Sequence, residues 1–222
     1  MAHPQRAFRF GTTSRPTFEE FLPGENAELL ARLAALPTLD AFVGVWIYAG
    51  DSIGKTHLLQ AVTSPEAYLH AACPEGPTQF AGQPAGQPVA IDEVERCLGD
   101  RRREEGLLAL YQLLLARGVP LLVSSRVSPL ALTPLLPDLA SRLRAFETFA
   151  LQPPGEAEQR VILDRQARRR GLHLLPEVLD FWLLRRARSL RSRLEDLELV
   201  LDYALGAQRP ITVPLLKEAL GL

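Results

Sequence analysis

Lysine, cysteine and long apolar runs are all scarce in this 222-residue sequence. The two cysteines, Cys73 and Cys97, fit no metal-ligand spacing, which argues against a metal site and a disulfide-built fold and favours a reduced cytosol. No run approaches the roughly 18 apolar residues of a membrane span, and the first ten residues contain no apolar core typical of a signal peptide. We therefore expect a soluble, cytoplasmic protein that does not enter membranes.

Basic residues number 25 and acidic residues 26, so the formal net charge is −1. Such a balance provides no overall positive field that would attract nucleic acid. Hydrophobic residues make up 47% and charged residues 23%, as in globular proteins that bury a real core. The length suits one domain with a small appendage, or two small domains.

Strand-like and helical patterns alternate along the first two thirds of the chain. Strands are predicted at 42–48, 67–71, 89–92, 120–124 and 145–151, with helices at 26–36, 55–62, 102–117 and 130–143, and a capping box at 17–20. This alternation predicts an α/β fold in which helices cover both faces of a five-stranded parallel sheet.

The character of the sequence changes after Pro153 and Pro154. Four helical patterns follow, at 156–170, 176–186, 189–205 and 213–220, with no strand between them. We therefore predict three parts: a flexible N-terminal segment over 1–16, a nucleotide-binding core over 17–152 and a helical lid domain over 153–222.

Residues 49–56 follow a predicted strand and open a predicted helix, which is the context of a Walker A phosphate loop. Gly50 and Gly54 would let backbone amides approach phosphates, Lys55 would reach the β and γ oxygens, and the Thr56 hydroxyl would bind Mg²⁺. Ala49 stands where the pattern has its first glycine, and the adjacent Gly50 can supply the turn. Because only two residues of the sequence are lysine, a lysine at this position favours phosphate binding over a chance match in an exposed turn.

A second acidic element follows at 89–93, where apolar residues end in Asp92 and Glu93. This is the form of a Walker B strand, in which Asp92 would hold Mg²⁺ through water and Glu93 would orient the attacking water. Two acids at a strand end are common in solvated turns, so the assignment depends on the Walker A loop that precedes it.

The order of these motifs, together with residues 17–26, 137–143 and 211–220, resembles the DnaA family of AAA+ replication initiators and, within it, the Hda type that inactivates the initiator. The resemblance covers nearly the whole chain. It implies an AAA+ core with a helical lid, bound ADP or ATP with Mg²⁺, and Arg142 as an arginine finger offered to a partner's γ-phosphate. It also implies that Arg191 closes the lid on the nucleotide.

The resemblance implies partners as well, namely the initiator DnaA and the DNA polymerase sliding clamp. The clamp-binding segment of Hda-type proteins is a glutamine followed by leucines near the N-terminus. Gln5, Phe8 and Phe10 provide a glutamine and two aromatic residues at similar spacing, so the resemblance implies that they form a clamp-binding peptide. The initiator's helix-turn-helix domain has no counterpart before Leu222, so we expect no direct sequence-specific DNA binding. Self-association into a homo-oligomer remains an open alternative.

Three functions remain open at this point. The first is a regulator that promotes hydrolysis of ATP bound to the initiator. The second is a self-contained AAA+ ATPase, such as a helicase loader, in which Glu93 completes the chain's own site. The third is a nucleotide-binding scaffold with neither activity. At the end of the fourth strand, Ser124, Ser125 and Arg126 replace the small polar residue and aspartate usual in the family.

Overall fold

The computed structural model describes residues 15–39, 41–50, 54–70, 73, 74, 80, 82, 84, 86–185 and 189–222. These residues fall into two compact units, Arg15–Pro153 and Pro154–Leu222. The predicted clamp-binding residues Gln5, Phe8 and Phe10 lie outside the described residues.

The first unit is built on a parallel sheet. Its strands are Gly44–Tyr48 (β1), Tyr68–His70 (β2), Val89–Asp92 (β3), Leu121–Ser125 (β4) and Glu147–Ala150 (β5). They lie in the order β2-β3-β4-β1-β5, and every pairing is parallel. The helices of this unit are Ala27–Ala35 (α1), Lys55–Val62 (α2), Arg101–Ala116 (α3) and Pro137–Arg144 (α4). The predicted five-stranded parallel sheet with flanking helices is confirmed.

Successive residues of each buried strand point to opposite faces of the sheet. In β1, Val45 and Ile47 pack in a cluster with apolar residues of α1 and α2, whereas Trp46 packs with residues of α3 and α4. All three are fully buried. The sheet is therefore covered by helices on both faces, which explains why its central strands are apolar almost throughout.

Two local predictions were wrong. The segment 130–143 was expected to be helical, but the structure has a short 3-10 turn at Pro129–Ala131 and a helix that starts only at Pro137. Leu136 is extended because a residue before proline avoids the helical region, and Pro137 then occupies the first turn, where its missing N–H costs nothing. At the expected capping box, Thr17 precedes a 3-10 turn but its side chain makes no capping hydrogen bond.

The two cysteines, whose spacing argues against a disulfide-built fold, are paired in the structure. Cys73 lies shortly after β2 and Cys97 ends the 3-10 turn Val94–Cys97 that follows β3. Because β2 and β3 are neighbours, the two cysteines meet with their Cα atoms 5.4 Å apart and form a disulfide. The bond ties together the chain segments that leave the ends of these two strands.

The second unit is helical in its described residues. It contains Glu156–Arg169 (α5), Pro176–Arg185 (α6), Leu190–Ala207 (α7) and Val213–Leu220 (α8), which share one apolar core centred on the fully buried Trp182. Arg193 is buried beside this core and donates to the Gln159 side chain and the Leu183 carbonyl. Across both units, no helix in the described part of the chain is long and apolar enough to cross a bilayer.

Candidate functional site

The carboxyl ends of β1, β3 and β4 meet at one edge of the sheet, which is where parallel α/β sheets bind ligands. The predicted phosphate loop leaves β1 there, and α2 begins at Lys55. Gly54 caps α2 with φ +104°, and a Cβ at this position would lie 2.8 Å from the Phe21 ring. Both the backbone conformation and the close ring therefore require glycine.

Lys55 is buried at the start of α2. Its ammonium donates to the carbonyl oxygens of Ala49 and Gly50, each at 2.8 Å. These contacts hold the cation against the entry to the loop, whose residues 51–53 lie outside the described part. A phosphate at the amino terminus of α2 would find this charge and the helix dipole together.

Asp92, at the end of β3, is the most densely hydrogen-bonded side chain of the site. Its Oδ2 accepts from the hydroxyls of Thr56 at 2.6 Å and Tyr68 at 2.8 Å, and lies 3.2 Å from His70 Nδ1. Its Oδ1 accepts from the Ser124 hydroxyl of β4. Strands β2, β3 and β4 and helix α2 therefore each contribute a side chain to this cluster.

These contacts decide the protonation of the cluster. Burial raises the pKa of Asp92, but the hydrogen bonds from Ser124, Thr56, Tyr68 and His70 outweigh burial, so the net pKa lies below its ordinary value. Burial and the adjacent Asp92 charge raise the pKa of Tyr68 well above its ordinary value. At neutral pH, Asp92 is thus a carboxylate and Tyr68 is a hydroxyl donor.

Glu93 does not join this cluster through its carboxylate. Its backbone is left-handed, with φ 57°, which is uncommon for a residue other than glycine. Its N–H donates to the Ser124 hydroxyl at 3.0 Å, while its carboxylate pairs with Arg96 at 2.5 Å. A role in activating water would require Glu93 to leave this ion pair.

The two predicted functional arginines lie on separate helices. Arg142, on α4, pairs with Asp138 at 3.3 Å, and its guanidinium lies 5.4 Å from the centre of the Tyr111 ring. Arg191, in the first turn of α7, pairs with Glu195 at 2.8 Å. Both side chains remain accessible, with 38% of the Arg142 side chain and 61% of the Arg191 side chain exposed.

A cavity of about 400 Å³ opens beside Gly50, at the entry to the predicted phosphate loop. It lies where β1, β4 and β5 end, and Gly50, Arg126 and Ala150 are among its lining residues. The Arg126 side chain donates to Glu95 Oε1 at 3.2 Å. The volume lies in the range of roughly 300–1,000 Å³ that small-molecule sites occupy.

The oxygen atoms of Thr56 and Asp92 fit Mg²⁺ better than a transition metal. Mg²⁺ prefers oxygen ligands and keeps several waters, so one carboxylate and one hydroxyl suffice when substrate phosphates supply the rest. Thr56 and Asp92 present such oxygens 2.6 Å apart. Within the residues that the structure describes, no three His, Cys, Asp or Glu side chains come together as a metal cluster.

Sequence reasoning identified Thr56 and Asp92 but missed the two β2 residues, Tyr68 and His70, that contact the Asp92 carboxylate. The available signal was the predicted strand at 67–71, since alternate residues of a strand share one face. The sequence pattern does not show which strand lies beside β2, so it could not predict that these two side chains reach Asp92 on β3.

The comparisons with known proteins agree with this architecture. Residues 156–220 match the family model described as Hda, lid domain. Domain III of the Thermotoga maritima replication initiation protein DnaA is 22% identical, with a TM-score of 0.74 over 92% of this chain and 95% of that chain. AMPPCP-bound DnaA from Aquifex aeolicus is 20% identical, with a TM-score of 0.66 over 87% of this chain and 68% of that chain.

The same fold recurs in the Thermotoga maritima RuvB Holliday junction branch migration motor. That protein is 19% identical, with a TM-score of 0.70 over 93% of this chain and 71% of that chain. The solved structures establish the AAA+ fold, and the family model associates the four lid helices with Hda.

Proposed function

We propose that the chain, whose helical lid matches the Hda family model and whose fold is shared with domain III of DnaA, is an Hda-type protein that regulates the initiation of chromosome replication. It holds ADP or ATP and, together with the sliding clamp, promotes hydrolysis of the ATP bound to the initiator. The observation that carries this proposal is the pairing of Thr56 with Asp92 beside the amino terminus of α2, in a chain with an Hda-type lid.

The nucleotide would bind at the edge of the sheet where β1 and β3 end. Lys55 would exchange its two carbonyl contacts for phosphate oxygens, and the glycines at 50 and 54 would leave room for close backbone approach. Thr56 and Asp92 would hold Mg²⁺, which neutralises charge on the β and γ phosphates. The Aquifex aeolicus relative was solved with AMPPCP, which supports an adenine nucleotide as the ligand.

Arg142 would act on the nucleotide of the partner rather than on that of its own chain. An arginine finger supplied in trans meets charge that develops on the γ-phosphate only in the transition state, and it is worth about 10³–10⁵ in rate. The contacts of Arg142 with Asp138 and Tyr111 leave the guanidinium at the surface. A surface ion pair of this kind costs little to exchange, because such pairs contribute about 0–1 kcal/mol.

The N-terminal residues Gln5, Phe8 and Phe10 would supply the clamp contact as a short extended peptide that binds an apolar groove. Residues 1–16, 17–152 and 153–222 would then serve as clamp peptide, nucleotide-binding core and lid. The N-terminal peptide would bind the clamp, whereas the core and the lid would share the nucleotide, so a variant in each part tests a different contact.

The decisive experiment measures hydrolysis of initiator-bound ATP with purified chain and DNA-loaded clamp. Wild-type chain should accelerate hydrolysis, and Arg142→Ala should abolish the acceleration while retaining nucleotide affinity. Arg144→Ala is the matched control because Arg144 is exposed at the end of the same helix. Equal acceleration by Arg142→Ala and wild type would contradict the proposed role of Arg142.

The lid arginine is tested by nucleotide affinity. Arg191→Ala should weaken binding of ADP or ATP, because Arg191 would contact the nucleotide of its own chain. Arg168→Ala is the control: Arg168 also forms an i,i+4 ion pair in the lid, and its side chain is 60% exposed against 61% for Arg191. Equal effects of the two substitutions would reduce Arg191 to a surface ion pair.

The alternative function is a self-contained ATPase, which the position of Glu93 directly after Asp92 favours. Single-turnover hydrolysis by the isolated chain, lost in Glu93→Gln, would support it. Hydrolysis seen only after the initiator is added would support the regulator instead.

A further inference from the structure

Strand β2 presents two aromatic side chains to the Walker B carboxylate. His70 lies opposite Asp92 in the β2–β3 register, and Tyr68 lies two residues earlier on the same face. The two rings stack, with centroids 6.3 Å apart and planes inclined by 11°. The Tyr68 hydroxyl and His70 Nδ1 both reach Asp92 Oδ2.

The oxygen that this pair contacts is the one that also accepts from Thr56. The other carboxylate oxygen accepts from Ser124. Donors on both oxygens fix the rotation of the carboxylate about its Cβ–Cγ bond. A ligand held in this way is already oriented before a cation arrives, which lowers the entropic cost of coordination.

We propose that Tyr68 is a positioning residue in this site: its hydroxyl orients the Asp92 carboxylate toward the Mg²⁺ ion that Asp92 and Thr56 would hold together. The inference rests on the proposed nucleotide site. In this role Tyr68 acts through its hydrogen bonds to the two cation ligands, Asp92 and Thr56, and not as a ligand itself. Its stacking on His70 keeps the phenol ring in place when the hydroxyl is removed.

The substitution Tyr68→Phe removes the donor and keeps the ring. Changes in groups that orient metal ligands typically cost 10–100-fold in metal affinity. Because Thr56 and Ser124 still bond Asp92, we expect a loss at the lower end of that range, about tenfold. Nucleotide affinity without Mg²⁺ should be unchanged, since phosphate contacts do not involve Tyr68.

The experiment titrates the full-length chain with a fluorescent ADP analogue in EDTA and at a series of Mg²⁺ concentrations, and it repeats the series with Mn²⁺ detected by electron paramagnetic resonance. Tyr203→Phe is the matched control because it removes another tyrosine hydroxyl, the one that contacts Glu218 in the helical unit. Thermal unfolding without ligand checks that both variants fold.

A weaker cation dependence in Tyr68→Phe alone, with equal affinity in EDTA, would support the inference. Unchanged cation dependence would overturn it, and so would an equal loss of affinity with and without the cation, since that indicates a purely structural role. Failure of the wild-type chain to bind the nucleotide at all would instead refute the proposed function, so the two failures are distinguishable.

Discussion

Glu104 is a fully buried carboxylate in the first turn of α3, and its removal should destabilise the first unit strongly. Its Oε1 accepts from the N–H groups of Gly99 at 2.8 Å and Leu135 at 2.9 Å, and its Oε2 accepts from the N–H of Leu136 at 2.8 Å. The side chain thus ties the loop before α4 to the start of α3.

The expected magnitude follows from these three bonds. A hydrogen bond to a charged group contributes roughly 1.5–3 kcal/mol, and water entering the vacated space recovers part of the loss in Glu104→Ala. We expect a decrease of about 3–5 kcal/mol in the free energy of unfolding. In Glu104→Gln, the amide oxygen can take the Oε1 position and keep the bonds from Gly99 and Leu135. The amide NH₂ then faces the N–H of Leu136, and two donors cannot bond each other, so the loss in the free energy of unfolding should be about 1–3 kcal/mol.

The assay is urea unfolding followed by tryptophan fluorescence in a Trp182→Phe background, which leaves the buried Trp46 as the reporter of the first unit. Glu105→Ala is the matched control: the Glu105 side chain is 55% exposed and forms an i,i+4 pair with Arg101, so its effect should stay within about 0.5 kcal/mol. If the free energy of unfolding of Glu104→Ala lies within about 1 kcal/mol of that of Glu105→Ala, the contribution of one ordinary hydrogen bond, the three hydrogen bonds of Glu104 do not anchor the loop before α4.

Three further predictions use the same fluorescence assay. Hydrogen bonds hold the folded-state pKa of Asp92 below 3.8, so the stability that the ionised carboxylate contributes is complete above that value and is lost as the pH falls through the lower folded-state pKa. Between about pH 5 and about pH 2, the free energy of unfolding of the wild type should therefore fall more than that of Asp92→Asn. An equal fall in both proteins would contradict this. Asn26→Ala should cost about 2–3 kcal/mol, because the Asn26 amide donates to the Gln152 carbonyl and accepts from its N–H, and a smaller loss than one hydrogen bond would argue against this pairing. Reducing the Cys73–Cys97 bond, which spans 24 residues, should cost about 3–4 kcal/mol, whereas Cys73→Ser should no longer respond to the reductant.

The sequence correctly predicted the helices and strands whose ends are set by residues close to them in the chain. The helix at 55–62 and the strand at 89–92 have the predicted bounds, because a glycine cap and an unbroken apolar run mark their ends in the sequence itself. The lid helices agree with their predicted ranges to within a few residues. The helix predicted before Pro137 does not form there, because the proline keeps Leu136 out of the helical region although the apolar residues have helical spacing.

By itself, the sequence determined the five-stranded α/β architecture and the helical lid, and it predicts the position of the phosphate loop, since each of these follows from patterns among residues close together in the chain. Only the tertiary structure decided the environment of Asp92. Its partners Tyr68, Ser124 and Thr56 come from separate elements, and the strand order that brings β2 and β4 to either side of β3 is set by long-range packing. The same strand order joins Cys73 to Cys97, because residues distant in sequence meet wherever their strands lie side by side.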